Sequence, residues 1–99
     1  MKARTLTFWI DADYVDQALQ IVDEDVLPAY RQSEHFLGLV ILRSEVVERQ
    51  VMGLSIWDGD RPGCEDVMTE FRDRLTSLTG TSPSATTYEV LRLASVLDI

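Results

Sequence analysis

Apolar residues recur along this chain in two rhythms, one of about two residues and one of between three and four. Thr5 to Ile10 reads T-L-T-F-W-I, β-branched, aromatic and partly alternating, which predicts a strand. Asp11-Ala12-Asp13 breaks it, and Asp13 suits an N-cap with further acids such as Asp16 in the first turn. Val15, Ala18, Leu19, Val22, Val26 and Ala29 then follow helical spacing. Pro28 interrupts that helix: either it bends it, or Asp25 caps a second short piece carrying Pro28 in its first turn. Phe36 to Leu42 and Val51 to Trp57 are two strand-like runs, joined by a charged turn near Ser44 to Glu48. Asp60 and Pro62 mark the start of a second helix, with Cys64, Val67, Met68, Phe71, Leu75 and Leu78 as its apolar stripe. Gly80 ends it in a left-handed C-terminal position, and Thr86 to Ala94 forms a last strand.

The order is β-α-β followed by β-α-β. It predicts an α+β, ferredoxin-like βαββαβ fold, one domain over residues 1–99, with a four-stranded antiparallel sheet and both helices on one face. Alternation along the strands then raises a difficulty. Met52, Leu54 and Ile56 point one way, and Val51, Gly53, Ser55 and Trp57 the other; Leu37, Leu39 and Ile41 oppose Phe36, Val40 and Leu42. Both faces are largely apolar, and two helices cover only one of them. Face-to-face packing of two sheets in a homodimer resolves this. The competing reading is that the second strand is simply central and the alternation carries no message.

Composition narrows the partners. Hydrophobic residues make up 45 % of the chain and charged residues 26 %, so a packed domain is expected rather than disorder. Seventeen acids against nine bases give a net charge of −8, which repels phosphate backbones and anionic membranes; neither nucleic acid nor membrane is expected as a partner. Cys64 is the only cysteine, so no intrachain disulfide and no cysteine metal cluster forms. Met1 to Thr5 lacks a signal peptide's apolar core, and a cytoplasmic location is expected.

Candidate chemistry is sparse. Trp57 ends the third strand on the same face as Gly53 and Ser55, and a large aromatic beside two small residues can line a ligand cavity. The competing reading makes Trp57 core. Trp9 shares a face with Thr5 and Thr7, as a pocket wall or a half-exposed surface group. Tyr14, Tyr30 and Tyr88 could each place a hydroxyl at a pocket mouth. Tyr88 and Arg92, four residues apart on the last strand, could hold an anionic or phenolic ligand, or form a solvated edge pair. His35, the only histidine, lies beside Glu34 just before the second strand, as a general base or as a surface residue. Cys64, in the first turn of a helix, would be somewhat acidified if exposed, but its place in the stripe predicts burial. There is no phosphate-binding loop, no G-x-G-x-x-G turn and no G-x-S-x-G elbow. No cofactor and no metal site is expected.

The third strand ending in G-L-S-I-W-D-G-D, an acidic-start helix and the closing Y-E-V-L at Tyr88 to Leu91 resemble the antibiotic biosynthesis monooxygenase-like proteins of the dimeric α/β-barrel superfamily. The resemblance extends over nearly the whole chain in element order. It implies a homodimer whose sheets face each other, with a pocket between sheet and helices in each subunit. Some members oxidise aromatic polyketides with O2 and no cofactor; others degrade haem. The haem-degrading members use an Asn on the first strand, a Trp at the position of Trp57 and a His on the second helix. This chain has no Asn, and Pro62 to Leu78 has no His, so haem degradation is not expected. One reading is then a cofactor-independent oxygenase, or a related enzyme, acting on a small aromatic: Trp57, beside Gly53 and Ser55, would stack on the substrate, and Tyr88 and Arg92, or His35, would steady an enolate or phenolate. The alternative is a non-catalytic dimer that binds a small molecule or only fills its own core.

Overall fold

The structure is a computed structural model and describes residues 1–59 and 65–94. Its strands are β1 (Lys2–Trp9), β2 (Phe36–Arg43), β3 (Gln50–Trp57) and β4 (Ser84–Glu89). Its helices are α1 (Ala12–Ile21), α2 (Leu27–Arg31) and α3 (Glu65–Thr79), with a π-helical turn, Val22–Val26, joining α1 to α2. The strands form one antiparallel sheet in the order β2-β3-β1-β4. This is the predicted ferredoxin-like βαββαβ arrangement. The cap expected at Asp60, the first-turn Pro62 and Cys64 lie outside the described residues.

The first helical segment ends Pro28's ambiguity. Proline has no N–H, so the carbonyl four residues earlier loses its partner. The chain widens to a π-helical turn just before it, and Pro28 sits in the first turn of α2. Asp25 makes no cap there; its carboxylate instead takes the Arg74 guanidinium of α3. Asp13 is likewise not the N-cap. That position falls to Asp11, whose side chain is committed to Arg49 at 2.8 Å and caps nothing. Gly80 does close α3 with φ of 80°, its N–H bonded to the Thr76 carbonyl at 2.8 Å.

Strand ends differ from the sequence expectation for reasons of pairing. β1 lies between β3 and β4, so it is paired along its length from Lys2, three residues before the predicted start, and Ile10 falls outside it. β4 begins at Ser84, just past Pro83, and stops at Glu89, which pairs with Lys2. The Val90 N–H still reaches the Met1 carbonyl at 3.0 Å. The strand predicted to run to Ala94 thus ends at Glu89.

Register assigns the faces. Arg4, Leu6 and Phe8 of β1 stand beside Ser55, Gly53 and Val51 of β3, and Leu39 and Ile41 of β2 continue the same rows. This side meets the helices. Phe8, Val15, Val22, Val26, Phe71 and Leu75 are buried here, and Leu75 is fully so. A bulge between Phe36 and Gly38 breaks the parity of β2. It turns Phe36 to the helix side with Leu39 and Ile41, and leaves Leu37 as the exposed extra residue. The simple alternation that grouped Phe36 with Val40 and Leu42 is corrected by that bulge.

Candidate functional site

A cavity of about 310 Å³ lies between the helix-facing side of the sheet and the helices. This is the volume range of small-molecule sites. Its apolar walls come from Leu6, Leu39 and Ile41 on the sheet and from Val22, Val26 and Phe71 on the helical side. Gly53 forms part of the sheet wall. A Cβ added there would meet only Ile41 Cδ1, at 3.5 Å, so the backbone does not demand glycine; the missing side chain simply leaves volume open. The π-helical turn contributes Val22 and Val26, so the device that accommodates Pro28 also shapes a wall.

Ser55 also lines the cavity, and Trp57 stands behind it. The Trp57 indole Nε1 donates to Ser55 Oγ at 2.8 Å, and Ser55 Oγ donates at 3.5 Å to the Arg4 carbonyl on β1. Trp57 is 1 % exposed and packed among aromatics. The Tyr30 ring meets it edge-on, centroids 4.9 Å apart, and Phe36 lies at 5.2 Å. Its indole is thus packed against two aromatic rings, and its polar atom is bonded to Ser55. Trp57 itself is not among the residues that line the cavity; its hydrogen bond goes to Ser55, which is.

The polar lining is cationic and hydroxylic. Arg4 from β1 and Arg72 from α3 line the cavity, with Thr69, Thr87 and Tyr30. Arg4 Nη1 donates to the Met68 sulfur at 2.8 Å. No ion pair among the described residues involves Arg4 or Arg72; those present join His35 to Glu34, Arg49 to Asp11 and Arg74 to Asp25. Sequence reasoning missed both arginines. Arg4 was detectable in principle, since it shares strand parity with Leu6 and Phe8 and is thus a charge on an apolar row.

The remaining candidates lie elsewhere. Trp9 and Tyr88 belong to the opposite, uncovered side of the sheet and are 42 % and 53 % exposed. Arg92 follows the end of β4 and is exposed, so the expected Tyr88–Arg92 pair on one strand does not exist. His35 is exposed, 3.7 Å from the Glu34 carboxylate, and its backbone carbonyl accepts from the Asp58 N–H at 2.8 Å. It is absent from the cavity wall. Tyr14 is exposed on α1, whereas Tyr30 is buried and does reach the cavity. Among the described residues no cluster of three or more His, Cys, Asp or Glu is arranged to hold a metal, and no helix is long and apolar enough to cross a membrane.

No family model matches the chain, and no curated protein does either. Solved structures do. A monooxygenase from the gene ActVA-Orf6 of Streptomyces coelicolor, in complex with the ligand Nanaomycin D, is 18 % identical with a TM-score of 0.71, over 95 % of this chain and 92 % of that one. A candidate antibiotic biosynthesis monooxygenase from Deinococcus radiodurans is 18 % identical with a TM-score of 0.73, over 97 % and 98 % of the two chains. Rv0793 from Mycobacterium tuberculosis is 14 % identical with a TM-score of 0.70, over 95 % and 98 %. At such identities the likeness is one of fold, and it spans nearly the full length of each protein. The chain has the ferredoxin-like fold of the antibiotic biosynthesis monooxygenase-like proteins.

Proposed function

We propose that this chain is one subunit of a homodimeric α/β barrel that binds a small aromatic molecule between its sheet and helices, as a cofactor-independent monooxygenase. The observation that carries the reading is the cavity of about 310 Å³, apolar on most sides and polar at Arg4, Ser55 and Thr87. A flat apolar ligand gains from burial against Leu39, Ile41 and Phe71, and a few polar groups orient it. A monooxygenase of the same fold is bound to Nanaomycin D. In such a reaction a phenol and O2 give a quinone and water. One oxygen atom enters the ring, the other leaves as water, and the substrate supplies all the electrons.

A second reading, a binding protein without turnover, rests on the same wall. Neither a carboxylate nor an imidazole is among the described side chains that line the cavity, so no residue there is an evident general base. Dimerisation is supported by the uncovered sheet face, where Val40 and Leu42 remain 46 % and 47 % exposed.

Titration with 1-naphthol tests the site, and an oxygen electrode separates the two readings. The wild-type protein is expected to bind 1-naphthol, and Gly53→Leu, which fills the cavity from its sheet wall, is expected to abolish binding while the fold persists. Oxygen uptake with release of naphthoquinone supports the enzyme; binding without uptake supports the second reading. Binding that ignores Gly53→Leu places the ligand elsewhere and overturns both.

A further inference from the structure

The cavity holds an unbalanced charge. Arg4 is half-buried on the helix-facing side of β1, between the neighbouring positions Ser55 and Thr87. Its hydrogen-bond partner is a thioether sulfur, a weak acceptor, for a group that carries five N–H donors. A guanidinium in such a place ordinarily meets a carboxylate, because removing it from water is costly otherwise. Acids are abundant in the chain, 17 against 9 bases, yet no ion pair among the described residues uses Arg4. Arg72, exposed on α3, adds a second positive charge to the same wall, and its guanidinium is likewise in no ion pair among the described residues.

We propose that the Arg4 end of the cavity binds the carboxylate of an aromatic acid, with Arg4 as the principal anchor and Arg72 beside it. This deepens the aromatic-cavity reading and rests on it. The ring lies toward the Leu39, Ile41 and Phe71 walls, and the carboxylate displaces the sulfur of Met68 as the acceptor of the Arg4 N–H groups. A planar guanidinium matches a carboxylate with two parallel hydrogen bonds, which a sulfur atom cannot offer. The overall charge of −8 works against any anion, so a preference for one measures the local cations and not the general field.

Calorimetric titration with 2-naphthoate and 2-naphthamide, alike in shape and different in charge, tests this. The wild-type protein is expected to bind 2-naphthoate at least about tenfold more tightly, as charge-assisted hydrogen bonds imply. Arg4→Met keeps the bulk and removes the charge. It is expected to lose the preference, binding the two probes alike. Arg4→Lys is expected to recover part of the preference. Equal binding of both probes by the wild type, or a preference that survives Arg4→Met, overturns the proposal. In either case loss of 2-naphthamide binding in Gly53→Leu leaves the aromatic cavity standing. Failure of the wild type to bind either probe overturns the cavity reading and this proposal together.

Discussion

The two faces of the sheet are built from the same strands, one residue out of step, and they have had different fates. On one face Phe8, Val51 and Trp57 are sealed under α1, the π-helical turn, α2 and α3. On the other, Trp9, Val40, Leu42 and Tyr88 are a third to a half or more exposed, although three of the four are as apolar as their buried neighbours. Burial is thus not a property of the residue type. It follows from which face the connections cross, and both βαβ units carry their helices to the same side. The covered face is also not filled. Gly53 and Ser55 leave the cavity open beneath the helices, while the larger Trp57 is drawn into an aromatic cluster next to it.

The contrast can be broken in three places. The largest effect is expected on the open face. Val40→Asp puts a carboxylate into the proposed dry contact between two sheets, weakening association by about 3–5 kcal/mol. Sedimentation is expected to show monomers where the wild type is dimeric, with circular dichroism unchanged. A wild type that sediments as a monomer at micromolar concentration removes the dimer altogether. Next comes the covered face, where Leu75 is wholly buried against the sheet. Leu75→Ala is expected to cost about 2–5 kcal/mol in denaturant unfolding, since the deleted methyl groups leave a void that the helix only partly closes. A loss below 1 kcal/mol, set against that range, would mean that α3 is loosely seated. The smallest effect sharpens the cavity wall. Ser55→Ala strips the buried Trp57 indole of its acceptor and is expected to cost about 1–3 kcal/mol, with a shift in tryptophan emission. An unchanged emission and stability would show that the indole N–H finds water from the cavity instead.

Much of the architecture was legible because it depends on local periodicity. The stripe from Val15 to Val26 and the stripe from Val67 to Leu78 both pack as helical spacing requires, with Val15, Val22, Phe71 and Leu75 at their centres. The site was less legible. Gly53 and Ser55, two small residues on one strand face, line the cavity, whereas Trp57 on that same face stands behind Ser55. Parity places a side chain on a face; it does not say whether a neighbour such as Tyr30, distant in sequence, has already covered it. The Tyr88–Arg92 pair failed for a related reason. Strand length is set by pairing, and the pairing of β4 with β1 ends at Glu89, opposite Lys2. Phe36 was misassigned because one bulge at Leu37 reverses everything on its far side.

The sequence by itself determined the element order, the helical stripes, the glycine that closes α3 and the apolar character of both sheet faces. Each of these depends on residues a few positions apart, whose relation the backbone repeat already specifies. Only the tertiary structure decided which face the helices cover, that Ser55 and not Trp57 meets the open space, and that Arg4 stands in the cavity with a sulfur for its partner. Those facts depend on contacts between residues tens of positions apart. They are settled when the sheet closes and the helices dock, because only then does each side chain acquire the neighbours that bury it, satisfy it or leave it unpaired.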